Sequence, residues 1–107
     1  MKFPNNIYIE AKKYSLDNSK IECCGLIYET SNTICFKKCE NAHPDPENFF
    51  EINSSDYLKT ISLGNVLAVF HSHPKTKGPS EKDKQMSKNL DIPFLIYSLI
   101  ENKFYCT

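Results

Sequence analysis

Two histidines one residue apart, His71 and His73, close the apolar run Val66 to Phe70 and are followed by Pro74. Alternate side chains of a β-strand share a face, so the two imidazoles project together and Ser72 points the other way. Asp83 falls on the first turn of the helix that Ser80-Glu81-Lys82-Asp83 opens, with Ser80 on the same helical face. The short Lys75 to Pro79 loop lets that turn fold back over the strand end. Two imidazoles and one carboxylate make a zinc donor set whose fourth tetrahedral position is left to water, as in a catalytic rather than a structural site. Zinc lowers the pKa of a bound water to about 7, and hydrolysis then needs a group to take the proton. Glu22 is the candidate, because an acid at the entry of the apolar run Cys23 to Tyr28 is otherwise costly. Ser80 is the candidate donor to the oxyanion that forms when a carbonyl is attacked.

These residues need a scaffold, and the hydrophobic pattern predicts one. Ile7, Ala11 and Tyr14 have the spacing of an amphipathic helix over Ile7 to Leu16, ended by Asp17, Asn18 and Ser19. Cys23 to Tyr28 and Thr33 to Cys39, separated by Ser31-Asn32, read as a β-hairpin. His43 to Asn48 holds two prolines and reads as a loop, followed by a short strand over Phe49 to Ile52. Ser54 or Ser55 is placed to cap a helix reaching about Leu63, stopped by Gly64-Asn65. After the buried strand that ends in the histidines come the helix from Ser80 to about Asn89 and two strands, Phe94 to Leu99 and Lys103 to Cys106. The order α-β-β-β-α-β-α-β-β predicts a mixed sheet flanked by helices, an α/β sandwich.

At 107 residues the chain is expected to be one domain. Thirteen basic and thirteen acidic side chains cancel, which argues against nucleic acid as a partner. The apolar stretches fall well below the roughly 18 residues of a membrane span, so a soluble protein is expected. The opening Met-Lys-Phe-Pro-Asn-Asn has no apolar core and no cleavage site of a secretory signal, which points to the cytoplasm. Five cysteines, an odd number, are then expected to be thiols.

Each feature taken alone has a plainer reading. His-x-His at a strand end is often ordinary surface polarity, and Ser-x-x-Asp at a helix start is a capping box. Their occurrence in order, with Glu22 beside a Cys-Gly strand, favours a site, and Ser80 is free to serve both as cap and as donor. Cys23 and Cys24 face opposite sides of a strand, so at least one packs into the core rather than acting as a nucleophile. His43, among prolines, is expected to face solvent. A nucleobase deaminase would need His-x-Glu and Pro-Cys-x-x-Cys, neither of which is present, and a dinuclear His-x-His hydrolase would need more histidines than His43 alone.

The ordered set Glu22-Cys23-Cys24-Gly25-Leu26-Ile27, His71-Ser72-His73-Pro74 and Pro79-Ser80-Glu81-Lys82-Asp83 resembles the signature of the JAMM (JAB/MPN-type) zinc metalloproteases. The resemblance extends over nearly the whole chain, and is nearest in style to the prokaryotic and bacteriophage tail-assembly (lambda K-like) branch. It implies the JAMM, cytidine-deaminase-like α/β sandwich, with Zn2+ on His71, His73 and Asp83, Glu22 as general base and acid, and Ser80 steadying the tetrahedral intermediate. Six residues, Pro74 to Pro79, separate the second histidine from Ser80, where the family usually has seven. The implied activity is hydrolysis of a peptide or isopeptide bond in a protein or peptide substrate, a ubiquitin-like protein or a phage tail protein among them. The alternative is a structural tail-assembly protein with the same fold and little or no catalysis. The implied setting is a bacterial or phage-infected cytoplasm, or the virion tail. The length leaves no room for the NlpC-type cell-wall peptidase domain that phage relatives often carry.

Overall fold

The computed structural model describes residues 2–107. Helix α1 (Asn5–Asp17) precedes the hairpin of β1 (Cys24–Thr30) and β2 (Thr33–Cys39). Then come α2 (Ser54–Leu63), β3 (Asn65–His73), α3 (Glu81–Leu90), β4 (Phe94–Ser98) and β5 (Lys103–Cys106). The hairpin turns on Ser31 and Asn32, both at positive φ (48° and 63°), as a two-residue turn matched to strand twist requires.

The five strands form one sheet in the order β2-β1-β3-β4-β5. β3 runs antiparallel to β1 and parallel to β4, and the outer pairs are antiparallel, so the sheet is mixed as expected. Alternation divides its side chains between two apolar layers. Ile27, Ala68, Phe70 and Leu95 face α1, which buries Ile7 and Ala11 against them. Leu26, Val69, Phe94 and Ile96 face the other way, toward Phe50, Ile52 and Met86 of α3. Cys23 and Cys24 are both buried, one in each layer, and burial pushes both thiols up, so they stay protonated packing groups. Gly25 has no room for a side chain: a Cβ there would lie 2.6 Å from the Lys37 carbonyl and 2.9 Å from the Phe36 ring.

Three expectations are corrected. The segment Phe49 to Ile52 is not a strand; only an isolated bridge, Asn41 to Ile52, forms there. The Asn41 side chain takes the groups a ladder would use, donating from Nδ2 to the Phe49 carbonyl (2.9 Å) and accepting the Glu51 N–H at Oδ1 (3.1 Å). The cap of α2 is Asn53, whose Oδ1 accepts the Asp56 N–H at 3.1 Å, and not Ser54 or Ser55. His43 is half-buried rather than solvent-facing: its ring lies 5.0 Å from that of Phe49, and its Nδ1 accepts the Asp45 N–H.

Candidate functional site

β3 carries His71 and His73 into the layer that holds Val69 and Phe94, where both are buried. Their Nε2 atoms approach to 3.2 Å. Ser72 turns to the opposite face, its Oγ accepting the Cys23 N–H at 3.0 Å, so strand alternation pairs the histidines as the sequence predicts. Asp83, also buried, reaches them from the first turn of α3. Its Oδ1 lies 3.0 Å from His71 Nε2 and its Oδ2 3.0 Å from His73 Nε2. A reciprocal capping box orients this carboxylate: Ser80 N–H donates to Asp83 Oδ2, and Asp83 N–H donates to Ser80 Oγ, each at 3.0 Å.

Glu22 arrives by strand register. Cys24 pairs with His71, and Ser72 N–H donates to the Cys23 carbonyl at 2.9 Å. Two residues back along the same antiparallel course, Glu22 stands level with His73 and on the same face. Glu22, His71 and His73 each bring a ligand atom within 4.8 Å of the others. The Glu22 backbone has left the ladder: its N–H donates to the Pro46 carbonyl (2.8 Å), and its carbonyl accepts from Asn41 Nδ2 (2.7 Å).

The electrostatics separate the two carboxylates. Burial pushes the Glu22 carboxyl up to about 7, with His73 pulling it down and Asp83 pushing it further up. Burial also works to raise Asp83, but the hydrogen bonds of His71 and His73 outweigh it and hold the carboxyl well below the usual range. Burial lowers His71 against the pull of Asp83, so that imidazole is neutral near pH 7. Burial works to lower His73 too, yet Asp83 and the Lys77 carbonyl together raise it.

The donor set fits a divalent cation. His73 Nδ1 lies 2.8 Å from the Lys77 carbonyl, which can only accept. The proton therefore sits on Nδ1 and Nε2 faces the site, the arrangement seen where a backbone carbonyl orients a metal-binding histidine. Two imidazole nitrogens and two carboxylate oxygens crowd one another at 3.0 to 3.2 Å with only protons to offset them, in a place largely closed to water. A cation relieves that arrangement, and mixed nitrogen and oxygen donors of this kind suit zinc.

Glu22, His73 and Asp83 open on a pocket also lined by Ser80, Phe49 and Phe50, with His71 fully buried behind them. Ser80 is exposed at its rim. Phe50 stacks on the His71 ring with centroids 4.2 Å apart and planes at 18°. Lys82 Nζ sits 4.6 Å from the centroid of Phe49. The structure thus brings together every residue singled out from sequence and adds three participants: Phe50, Asn41 and the Lys77 carbonyl. The first two lie in the stretch between the hairpin and α2, where no periodicity or motif singles them out. A backbone carbonyl has no residue type to betray it.

Among the described residues no helix is long and apolar enough to cross a membrane. The chain is 35% identical over 78 residues to "Tail tip assembly protein K" of Escherichia phage N15, an alignment covering 72% of this chain and 32% of that protein. The chain thus spans about a third of the length of that relative. Residues 6–104, carrying the mixed sheet, the paired histidines and the capping-box aspartate, match the family described as prokaryotic homologs of the JAB domain, and the chain belongs to that family.

Proposed function

We propose that this domain is a zinc-dependent peptidase or isopeptidase, with the metal held by His71, His73 and Asp83. The observation that carries this reading is the Asp83 carboxylate, one oxygen 3.0 Å from each histidine Nε2. Zinc bound there would supply a Lewis acid able to polarise a carbonyl and lower the pKa of water. Asp83 suits a ligand and not a proton carrier, because both its oxygens are engaged and its carboxyl is held anionic. Glu22 suits the other role. Its carboxylate, beside His73 on the pocket wall, is placed to take a proton from the attacking water and return it to the leaving amine. The Ser80 hydroxyl spends one lone pair on the Asp83 N–H, which leaves its own O–H to donate to the oxygen that turns negative as the carbonyl is attacked.

The substrate in this reading is a protein or peptide. The name of the phage N15 relative favours proteins of a phage tail tip, with a ubiquitin-like protein as the other class. The setting is then the cytoplasm of an infected or bacterial host, or the virion tail itself. A second reading rests on the same name: a tail-assembly component whose site does no chemistry. Metal analysis of the purified chain, joined to a cleavage assay on co-expressed tail-tip proteins with Glu22→Gln as control, separates them. Near-stoichiometric zinc with cleavage lost in the variant supports the enzyme, and normal assembly with no cleaved protein in either form supports the structural reading.

A further inference from the structure

We propose that Asn41 is a positioning residue that sets Glu22 and the aromatic wall of the pocket as one unit. The inference rests on the reading of Glu22 as proton carrier given above. Asn41 follows β2 and precedes the proline loop, and its side chain uses its whole hydrogen-bonding capacity. Nδ2 donates to the Glu22 carbonyl at 2.7 Å and to the Phe49 carbonyl at 2.9 Å, with the Pro46 carbonyl further off at 3.5 Å. Oδ1 accepts the His43 N–H at 3.0 Å and the Glu51 N–H at 3.1 Å. Two donor hydrogens and two acceptor lone pairs are all a primary amide has. Because the partners on one side only accept and those on the other only donate, the orientation of the amide is settled by its neighbours.

Glu22 needs this anchor because it lies beyond the end of β1, so no ladder holds it. Its own N–H turns to Pro46 (2.8 Å), inside the loop that Asn41 organises. The same loop delivers Phe50 onto His71 and Phe49 under Lys82. One amide therefore joins the backbone of the proton carrier to the wall that a substrate must pass. Among the described residues no other side chain is hydrogen-bonded to both the Glu22 backbone and this loop. Asn41 itself does not line the pocket, so its effect on proton transfer runs through Glu22, while its effect on the aromatic wall falls on substrate binding rather than on kcat.

Amide exchange in the metal-free protein reads the anchor directly. In Asn41→Asp, which keeps size and the acceptor side but loses both donors, the Glu22 amide should exchange about tenfold faster or more, while the Ser72 amide stays as in the wild type. An unchanged Glu22 rate overturns the proposal. In the zinc-loaded protein, Asn41→Asp and Asn41→Ala should lower kcat about ten- to a hundredfold, the scale of a catalytic group displaced by a fraction of an ångström, with zinc affinity unchanged. Added to Glu22→Gln, either should cost nothing further; additive losses would assign Asn41 to the fold alone and overturn its role through Glu22. If Asn41→Ala fails to fold, Asn41→Asp carries the test. If the zinc-loaded wild type cleaves no substrate, the peptidase reading fails, and the exchange rates still decide whether Asn41 anchors Glu22.

Discussion

Cys24 and His71 face one another across β1 and β3, and this pairing carries an acid met 51 residues earlier in the chain to the side of His73. In an antiparallel pair each step back on one strand is a step forward on the other, so Glu22 and His73 arrive together. Alternation does the rest, since residues two apart share a face. A register slip of one residue would turn Glu22 to the α1 side.

Metal retention divides the carboxylates. Asp83→Asn and His71→Ala should lose most of the bound zinc measured by elemental analysis after dialysis, whereas Glu22→Gln should keep it. Loss of zinc in Glu22→Gln with retention in Asp83→Asn would exchange the two roles.

Turnover should follow Glu22. With zinc bound, Glu22→Gln should slow hydrolysis by about a hundredfold or more, the usual worth of a positioned acid and base. Activity within a few fold of the wild type would remove Glu22 from the mechanism.

The metal-free protein should report the raised Glu22 carboxyl in its stability. Its folded pKa of about 7 lies above the ordinary 4.5, so the folded state holds the proton more tightly and this contribution fades as pH rises between those values. Glu22→Gln has no such proton to lose. Relative to the wild type it should gain about 1 to 3 kcal/mol on going from about pH 5 to about pH 8, allowing for partial exposure. Urea titrations in chelator at both pH values check this; a constant difference would show that Glu22 is not strained by burial.

Ser80 separates cap from catalysis. Ser80→Ala removes the acceptor for the Asp83 N–H, at a cost of about 0.5 to 2 kcal/mol in folding. If the hydroxyl also meets the oxyanion, turnover should fall by roughly a hundred- to a thousandfold in the fully folded, zinc-loaded protein. A loss of activity no larger than the loss of bound zinc would leave Ser80 as a cap only. In the structural reading, Ser80→Ala and Glu22→Gln should both assemble normally and leave no uncleaved substrate behind.

The candidate site was legible in the sequence where it rests on local periodicities. His71 and His73 share a face by the two-residue repeat of a strand, and Ser80 and Asp83 face one another by the geometry of a first helical turn. Ser31-Asn32 marked its hairpin and Val66 to Phe70 its buried strand for the same local reasons. Phe49 to Ile52 misled, because its apolar side chains resemble a strand while the hydrogen bonds a strand needs go to the side chain of Asn41. That competition links residues eight and ten apart across a loop, and no strand or helix period records it. The level at which Glu22 meets His73, the stacking of Phe50 on His71 and the carbonyl of Lys77 at His73 Nδ1 were likewise decided only when the sheet closed. Residue types set what each group is able to do. Long-range pairing, which burial and backbone hydrogen bonding choose together, decided which groups meet.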